Sequence, residues 1–140
     1  MCESVKQAKM KYLLPQPRVD LGISLLNIAN SMIDVSDGLV QDGMHLAKNS
    51  NLSIELNLLK VPIPKINKID RNIILDSALY GGDDYELLFS CDPSHEAFIK
   101  KLSSKMNIKL TKIGKFREFK NEFLKFKNNS SRPKRSFLHF

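Results

Sequence analysis

Apolar positions divide this chain into a series of short elements. Residues 3–13 predict a short helix that Pro15 and Pro17 stop. Leu21, Ile23, Leu25, Leu26, Ile28 and Ala29 predict a second helix, with Ser24 and Asn27 on its other face. Met32 to Val35 reads as a short buried strand. Asp37 to Asn49 reads as an amphipathic helix. Leu39, Val40, Met44, Leu46 and Ala47 form its apolar face, while Gln41, Asp42, His45 and Lys48 face away. Leu52, Ile54, Leu56 and Leu58 alternate with Ser53, Glu55 and Asn57, the pattern of a half-buried strand. Pro62 and Pro64 impose an extended turn. A helix from Arg71 to Tyr80, closed by Gly81, follows. Tyr85 to Ser90 reads as a strand, with Tyr85 in the core. Pro93 to Met106 reads as a helix with Ala97, Phe98 and Leu102 inward and Lys100, Lys101 and Lys105 outward. Residues 107–115 and 119–127 predict two further strands. The mixed order predicts an α+β fold, a layered mixed sheet with helices.

Composition narrows the class. At 140 residues the chain fits one domain with a real core, and 42% apolar and 26% charged residues are ordinary for a globular protein. Its apolar runs are far too short to span a membrane, and the first fourteen residues hold no signal-peptide core. Cys2 and Cys91 cannot build a disulfide framework, which predicts a reducing, cytoplasmic setting. The net charge of +7 is uneven: residues 1–110 carry 13 basic and 13 acidic side chains, and residues 111–140 carry 9 and 2. The excess gathers around residues 125–135, beside Asn128-Asn-Ser-Ser131 and Pro133. That composition predicts a flexible, solvated stretch rather than a nucleic-acid-binding arm.

Two acidic segments carry the candidate chemistry. Ser31-Met-Ile-Asp-Val-Ser-Asp-Gly-Leu39 sets Asp34, Ser36 and Asp37 at a strand-to-helix junction. Oxygen ligands suit magnesium, and free N–H groups at a helix start attract phosphate. The plainer alternative is that Ser36 or Asp37 is only an N-cap, which leaves Asp34, interrupting an apolar strand, unexplained. Tyr80-Gly-Gly-Asp-Asp-Tyr-Glu-Leu-Leu-Phe89 places three carboxylates behind two glycines. Adjacent carboxylates repel and call for a cation or a donor, although a solvated acidic turn after a helix C-cap is the simpler alternative. His45, His95 and His139 read as structural. No His/Cys spacing suits zinc, and no P-loop, G-x-G-x-x-G or G-x-S-x-G occurs.

Met32-Ile-Asp-Val-Ser-Asp-Gly-Leu39 and Gly81-Gly-Asp-Asp-Tyr-Glu-Leu-Leu-Phe89 resemble the two signature segments of the C-terminal half of the thiamine-monophosphate kinase family, within the superfamily of aminoimidazole ribonucleotide synthetase. Pro15-Gln-Pro-Arg-Val-Asp-Leu-Gly22 resembles that family's inter-domain segment, and Ser136-Phe-Leu-His-Phe140 its terminus. The resemblance implies ATP-dependent phosphorylation of thiamine monophosphate to thiamine pyrophosphate. It implies magnesium on Asp34 and Asp37, ATP contact through Ser36, and substrate contact through Asp83 and Phe137. No residue is implied as a protein nucleophile. In the family the position of Asp83 is often the longer Glu, and Ser136 replaces a glycine. Roles for Asp84 and Glu86 stay open. The implied division is a leader helix and inter-domain segment at 1–18 and the C-terminal domain at 19–140, without the family's N-terminal ATP- and metal-binding domain. Such a chain is half of a kinase, expected to be inactive alone, with a separately encoded N-terminal domain as a candidate partner. The other reading is a non-catalytic remnant or binding module with a basic tail.

Overall fold

A computed structural model describes residues 9–10 and 13–127. In chain order its elements are α1 (Val19–Ser24), β1 (Ala29–Val35), α2 (Leu39–Asn49), β2 (Leu52–Leu56), α3 (Arg71–Tyr80), β3 (Glu86–Cys91), α4 (Glu96–Met106), β4 (Gly114–Glu118) and β5 (Leu124–Phe126). Single 3-10 turns lie at Leu58–Lys60 and Pro93–His95. The α+β expectation holds, but the strands form two sheets. β1 and β3 pair antiparallel as a ribbon. β2 is the centre of a three-stranded mixed sheet, antiparallel to β4 and parallel to β5. Helix α2 packs against strands of both sheets and against α3, so it is the hub that joins the layers.

The apolar pattern explains this assembly. Strand side chains alternate between faces. On the ribbon, Val35 and Leu88 enter one core with Leu39, Val40, Val61 and Leu79. Met32, Leu87 and Phe89 turn the other way, to Leu21, Leu25 and Leu102 from α1 and α4. Ala47, Ile54 and Leu56 form a third cluster with Phe116, Phe123 and Leu124. Each fully buried leucine contributes about 1.5–3 kcal/mol, and Leu25, Leu56 and Leu79 are the largest completely enclosed side chains.

Several expectations change. The second predicted helix stops at Ser24; Asn27 takes φ 65 and Ala29 already belongs to β1. In α4, Ala97 and Phe98 are exposed, and Ile99, Leu102 and Met106 face the core instead. The 3-10 turn before the helix resets its phase, and the apolar ribbon face selects the stripe it meets. Residues 107–113 form no strand, yet Ile108, Leu110 and Ile113 still supply core contacts, so burial without ladder pairing produced the strand-like pattern. β5 covers only Leu124–Phe126 of the predicted 119–127. The start of the basic stretch is therefore structured: Lys125 and Phe126 pair with Glu55 and Leu56, and Lys127 N donates to Leu56 O. Residues 128–135, Cys2, His139 and most of the predicted 3–13 helix lie outside the described residues. Cys91 is a free, half-buried thiol, and burial pushes its pKa up. Among the described residues no helix is long and apolar enough to cross a membrane.

Candidate functional site

The first acidic segment is built around a turn that no side-chain cap explains. β1 ends at Val35, and the chain passes through Ser36, Asp37 and Gly38 into α2. Gly38 is the N-cap residue, with φ 102 and no side-chain capping bond. A Cβ there would also meet Leu79 O, Gly81 O and the Tyr80 carbonyl carbon at 3.1 Å each, so only glycine suits both the angle and the space. Neither Ser36 nor Asp37 is the N-cap. Their backbone amides are not open to a phosphate either. Both donate to Asp42 Oδ2, each at 3.0 Å.

Asp42 corrects the expected orientation of α2. It is 2% exposed and points inward, not to solvent. The period itself allowed this, because Asp42 stands three residues after Leu39 and four before Leu46, on the buried face. Its polarity argued outward; the two amides it serves hold it in. Burial pushes the Asp42 carboxyl above the usual carboxylate range, partly offset by those amides and by nearby His45.

The second segment docks onto the first, backbone to backbone. Gly81 N donates to Ser77 O at 2.7 Å and ends α3 in extended rather than left-handed geometry, φ −75. A Cβ on Gly82 would stand 2.5 Å from Ser36 O, so that glycine permits the approach. Asp83 N donates to Ser36 O at 2.9 Å, and Tyr85 N to Val35 O at 2.8 Å. Asp83 and Tyr85 adopt φ 66 and 50, unusual for non-glycine residues and a mark of a constrained turn. β3 then continues along β1, with Glu86 opposite Val35 and Leu87 opposite Asp34.

The side chains fall into two groups. Asp34 and Asp83 are exposed. Both act on Tyr85, which is half-buried ahead of β3 rather than a core strand residue. Its hydroxyl donates to Asp83 Oδ1 at 3.3 Å. The Asp83 charge, that hydrogen bond, partial desolvation and the Asp34 charge, in falling order, push the phenol's pKa up. Asp37 belongs to the second group, on α2, where Gln41 Nε2 donates to its Oδ2 at 3.1 Å. Asp37, Asp42 and His45 offer ligand atoms within 4.8 Å of one another, and among the described residues no such trio includes Asp34. A cleft of about 280 Å³ between α2 and α3 opens beside Asp37, lined also by Gln41, His45, Lys48 and Tyr80.

Ser36 is half-buried between the groups, and Asp84 is exposed in the turn that carries Asp83. Phe137 lies outside the described residues. Glu86, whose role the sequence left open, receives a two-pronged bond from Arg18, Nε to Oε2 and Nη2 to Oε1, both at 2.9 Å. Hydrogen bonding to Glu86 raises the Arg18 pKa despite desolvation. This pair ties the Pro15–Gly22 segment to the ribbon, and its separation of 68 residues left no local trace in the sequence.

No family model matches the chain. A thiamine-monophosphate kinase of Haemophilus influenzae is 38% identical over 112 residues, 79% of this chain and 34% of its own length. One from Buchnera aphidicola subsp. Schizaphis graminum is 46% identical over 111 residues, 74% of this chain and 33% of its own. The crystal structure of the Stenotrophomonas maltophilia thiamine-monophosphate kinase matches with a TM-score of 0.86 and 29% identity, over 94% of this chain and 42% of that one. The chain belongs to the thiamine-monophosphate kinase family. It spans about a third of the length of these curated relatives. A further thiamine-monophosphate kinase structure, AaThiL complexed with AMPPCP and TMP, matches with a TM-score of 0.73 and 27% identity, over 96% of this chain and 41% of that one.

Proposed function

We propose that this chain is the C-terminal region of a thiamine-monophosphate kinase and supplies half of its site for transferring the γ-phosphoryl group of ATP to thiamine monophosphate. The observation that carries the reading is the docking of the two acidic segments. Backbone bonds from Asp83 and Tyr85 to Ser36 and Val35, with Gly82 against Ser36, join the turn that carries Asp83 to the segment that carries Asp34, Ser36 and Asp37. The complex of AaThiL with AMPPCP and TMP supports the two substrates.

Phosphoryl transfer of this kind needs positioning and charge neutralisation more than a nucleophile from the protein. A hard cation fits the residues present. Asp34, Asp37 and Asp83 offer only oxygen ligands, and the negative charges of Asp83 and Asp34 both push the Tyr85 phenol's pKa up. Neither of those two has an ion-pair partner among the described residues. Asp34 and Asp37 would hold magnesium, which when bound neutralises phosphate oxygens. The Ser36 hydroxyl donates to the nucleotide. Asp83 orients the thiamine phosphate, with Tyr85 bracing its carboxylate, and Phe137 stacks on the thiamine ring. The remaining metal ligands and most of the nucleotide pocket belong to the portion of the kinase outside this chain, so the chain alone turns over no substrate.

The test is a chimera in which this chain replaces the matching stretch of the Haemophilus influenzae kinase. The folded chimera is expected to convert thiamine monophosphate with ATP and magnesium. Asp34→Asn or Asp37→Asn in it should lower kcat/KM by about 100-fold or more. A folded chimera without turnover, or full activity in both variants, overturns the reading.

A further inference from the structure

We propose that Asp42 is a positioning residue for the Ser36–Asp37 turn, and that it acts through the backbone rather than by touching a ligand. This deepens the proposed kinase reading and rests on it for the roles of Ser36 and Asp37. The turn has an unusual support. α2 begins at Gly38 without a side-chain cap. The fixing group comes from inside the helix, one turn on. A single oxygen of Asp42 accepts both consecutive amides at 3.0 Å, and the residue is only 2% exposed.

Two consecutive N–H vectors aimed at one oxygen set the orientation of the peptide plane between Ser36 and Asp37. That plane determines where the Ser36 hydroxyl and the Asp37 carboxylate leave the backbone. The opposite side of the same turn is set by Asp83 N on Ser36 O and by Gly82 pressed against it. The turn is thus held from below by a buried charge and from above by the second acidic segment. Supports of this kind that orient metal ligands change metal affinity by about 10–100-fold when removed. Gln41, bonded to the Asp37 carboxylate at 3.1 Å, adds a side-chain restraint from the same helix.

The test compares Asp42→Asn with Asp42→Ala in this chain. Both remove the same charge; only Asn keeps an oxygen that accepts the two amides. The probe is Mn2+ alone, followed by its paramagnetic effect on amide signals, together with amide hydrogen exchange. Ala is expected to bind Mn2+ about tenfold more weakly than Asn. In Ala the Ser36 and Asp37 amides should exchange about tenfold faster than in Asn, while Leu46 and Ala47 in the middle of α2 stay protected. Equal Mn2+ affinity in the two variants, or unchanged exchange at Ser36 and Asp37, overturns the proposal. His45→Ala should leave Mn2+ affinity unchanged; a loss matching that of Asp42→Ala would make Asp42 a direct ligand beside His45 and overturn it too. If the wild-type chain, holding only part of the proposed ligand set, binds no Mn2+, the exchange rates alone decide for or against Asp42. If Ala does not fold, Asp42→Ser, too short to reach both amides, takes its place.

Discussion

Helices α2 and α4 are both 11 residues long, and they are held in place by opposite means. α4 is specified locally. Asp92 bonds Ser94 N, Pro93 opens the turn before it, and Asn107 closes it in the left-handed conformation at φ 52. It buries only Leu102 and carries a surface ion pair, Lys100 to Glu96 at 2.9 Å. Neither helix has a side-chain bond at its own N-cap, but α2 has no capped turn ahead of it, and it buries Leu39, Val40, Asp42, Gly43, Leu46 and Ala47. Its start is set by the carbonyls of Leu79–Gly81 around Gly38 and by its own Asp42 reaching back. The helix that signals its ends openly has no candidate chemistry. The helix that carries candidate ligands depends on distant backbone.

That contrast breaks most sharply at Gly38. Gly38→Ala is expected to cost about 2–4 kcal/mol, because a Cβ adds strain at φ 102 and crowds three backbone atoms. Urea unfolding measures it, and a loss below about 1 kcal/mol would mean that the carbonyl cage yields. Next is Asp42→Ala. Stranding two buried amides is expected to cost about 1–3 kcal/mol, whereas Glu96→Ala on α4 should leave the urea midpoint unmoved. Comparable losses from the two would erase the distinction between the helices.

A smaller effect is expected at Asp34, which enters the turn ahead of α2. Asp34→Asn should leave thermal stability unchanged or slightly raised without a cation, since it removes repulsion near Asp83. A clear loss would give Asp34 a structural role. The smallest effect concerns α4. The bond and charge of Lys100 hold the Glu96 carboxyl below its ordinary value of 4.5. A depressed carboxylate stabilises the fold in full above that ordinary value and loses the contribution as pH falls through the depressed one. The melting difference between wild type and Glu96→Gln should therefore be slight at neutral pH, since the pair is exposed, and vanish in acid. A difference that grows on acidification contradicts this.

Much of the molecule was legible along the chain. Arg71–Tyr80 was expected as a helix and is one, because a capping Asp70 and a terminal Gly81 bracket it. β2 followed from strict alternation, although Ser53 is buried on the supposedly outer face, where its hydroxyl donates to Glu122 O at 2.6 Å. Residues 107–113 misled, because apolar spacing records burial and not hydrogen-bond pairing. The two acidic segments stood out for their chemistry, but not for their contact.

What the sequence determined by itself is the set of elements whose signals lie within one turn or one pleat: helix caps, apolar stripes and alternation are short-range properties of neighbouring side chains. It also carried the family resemblance, because the Ser-Asp-Gly and Gly-Gly-Asp-Asp-Tyr-Glu segments are contiguous. The tertiary structure alone decided three things: that Asp42 faces inward, that Arg18 clasps Glu86, and that Gly82 and Asp83 rest on Ser36. Each depends on a backbone donor, a carboxylate or an empty Cβ position brought close by folding. Such groups have no periodicity, so a linear pattern cannot record where they meet.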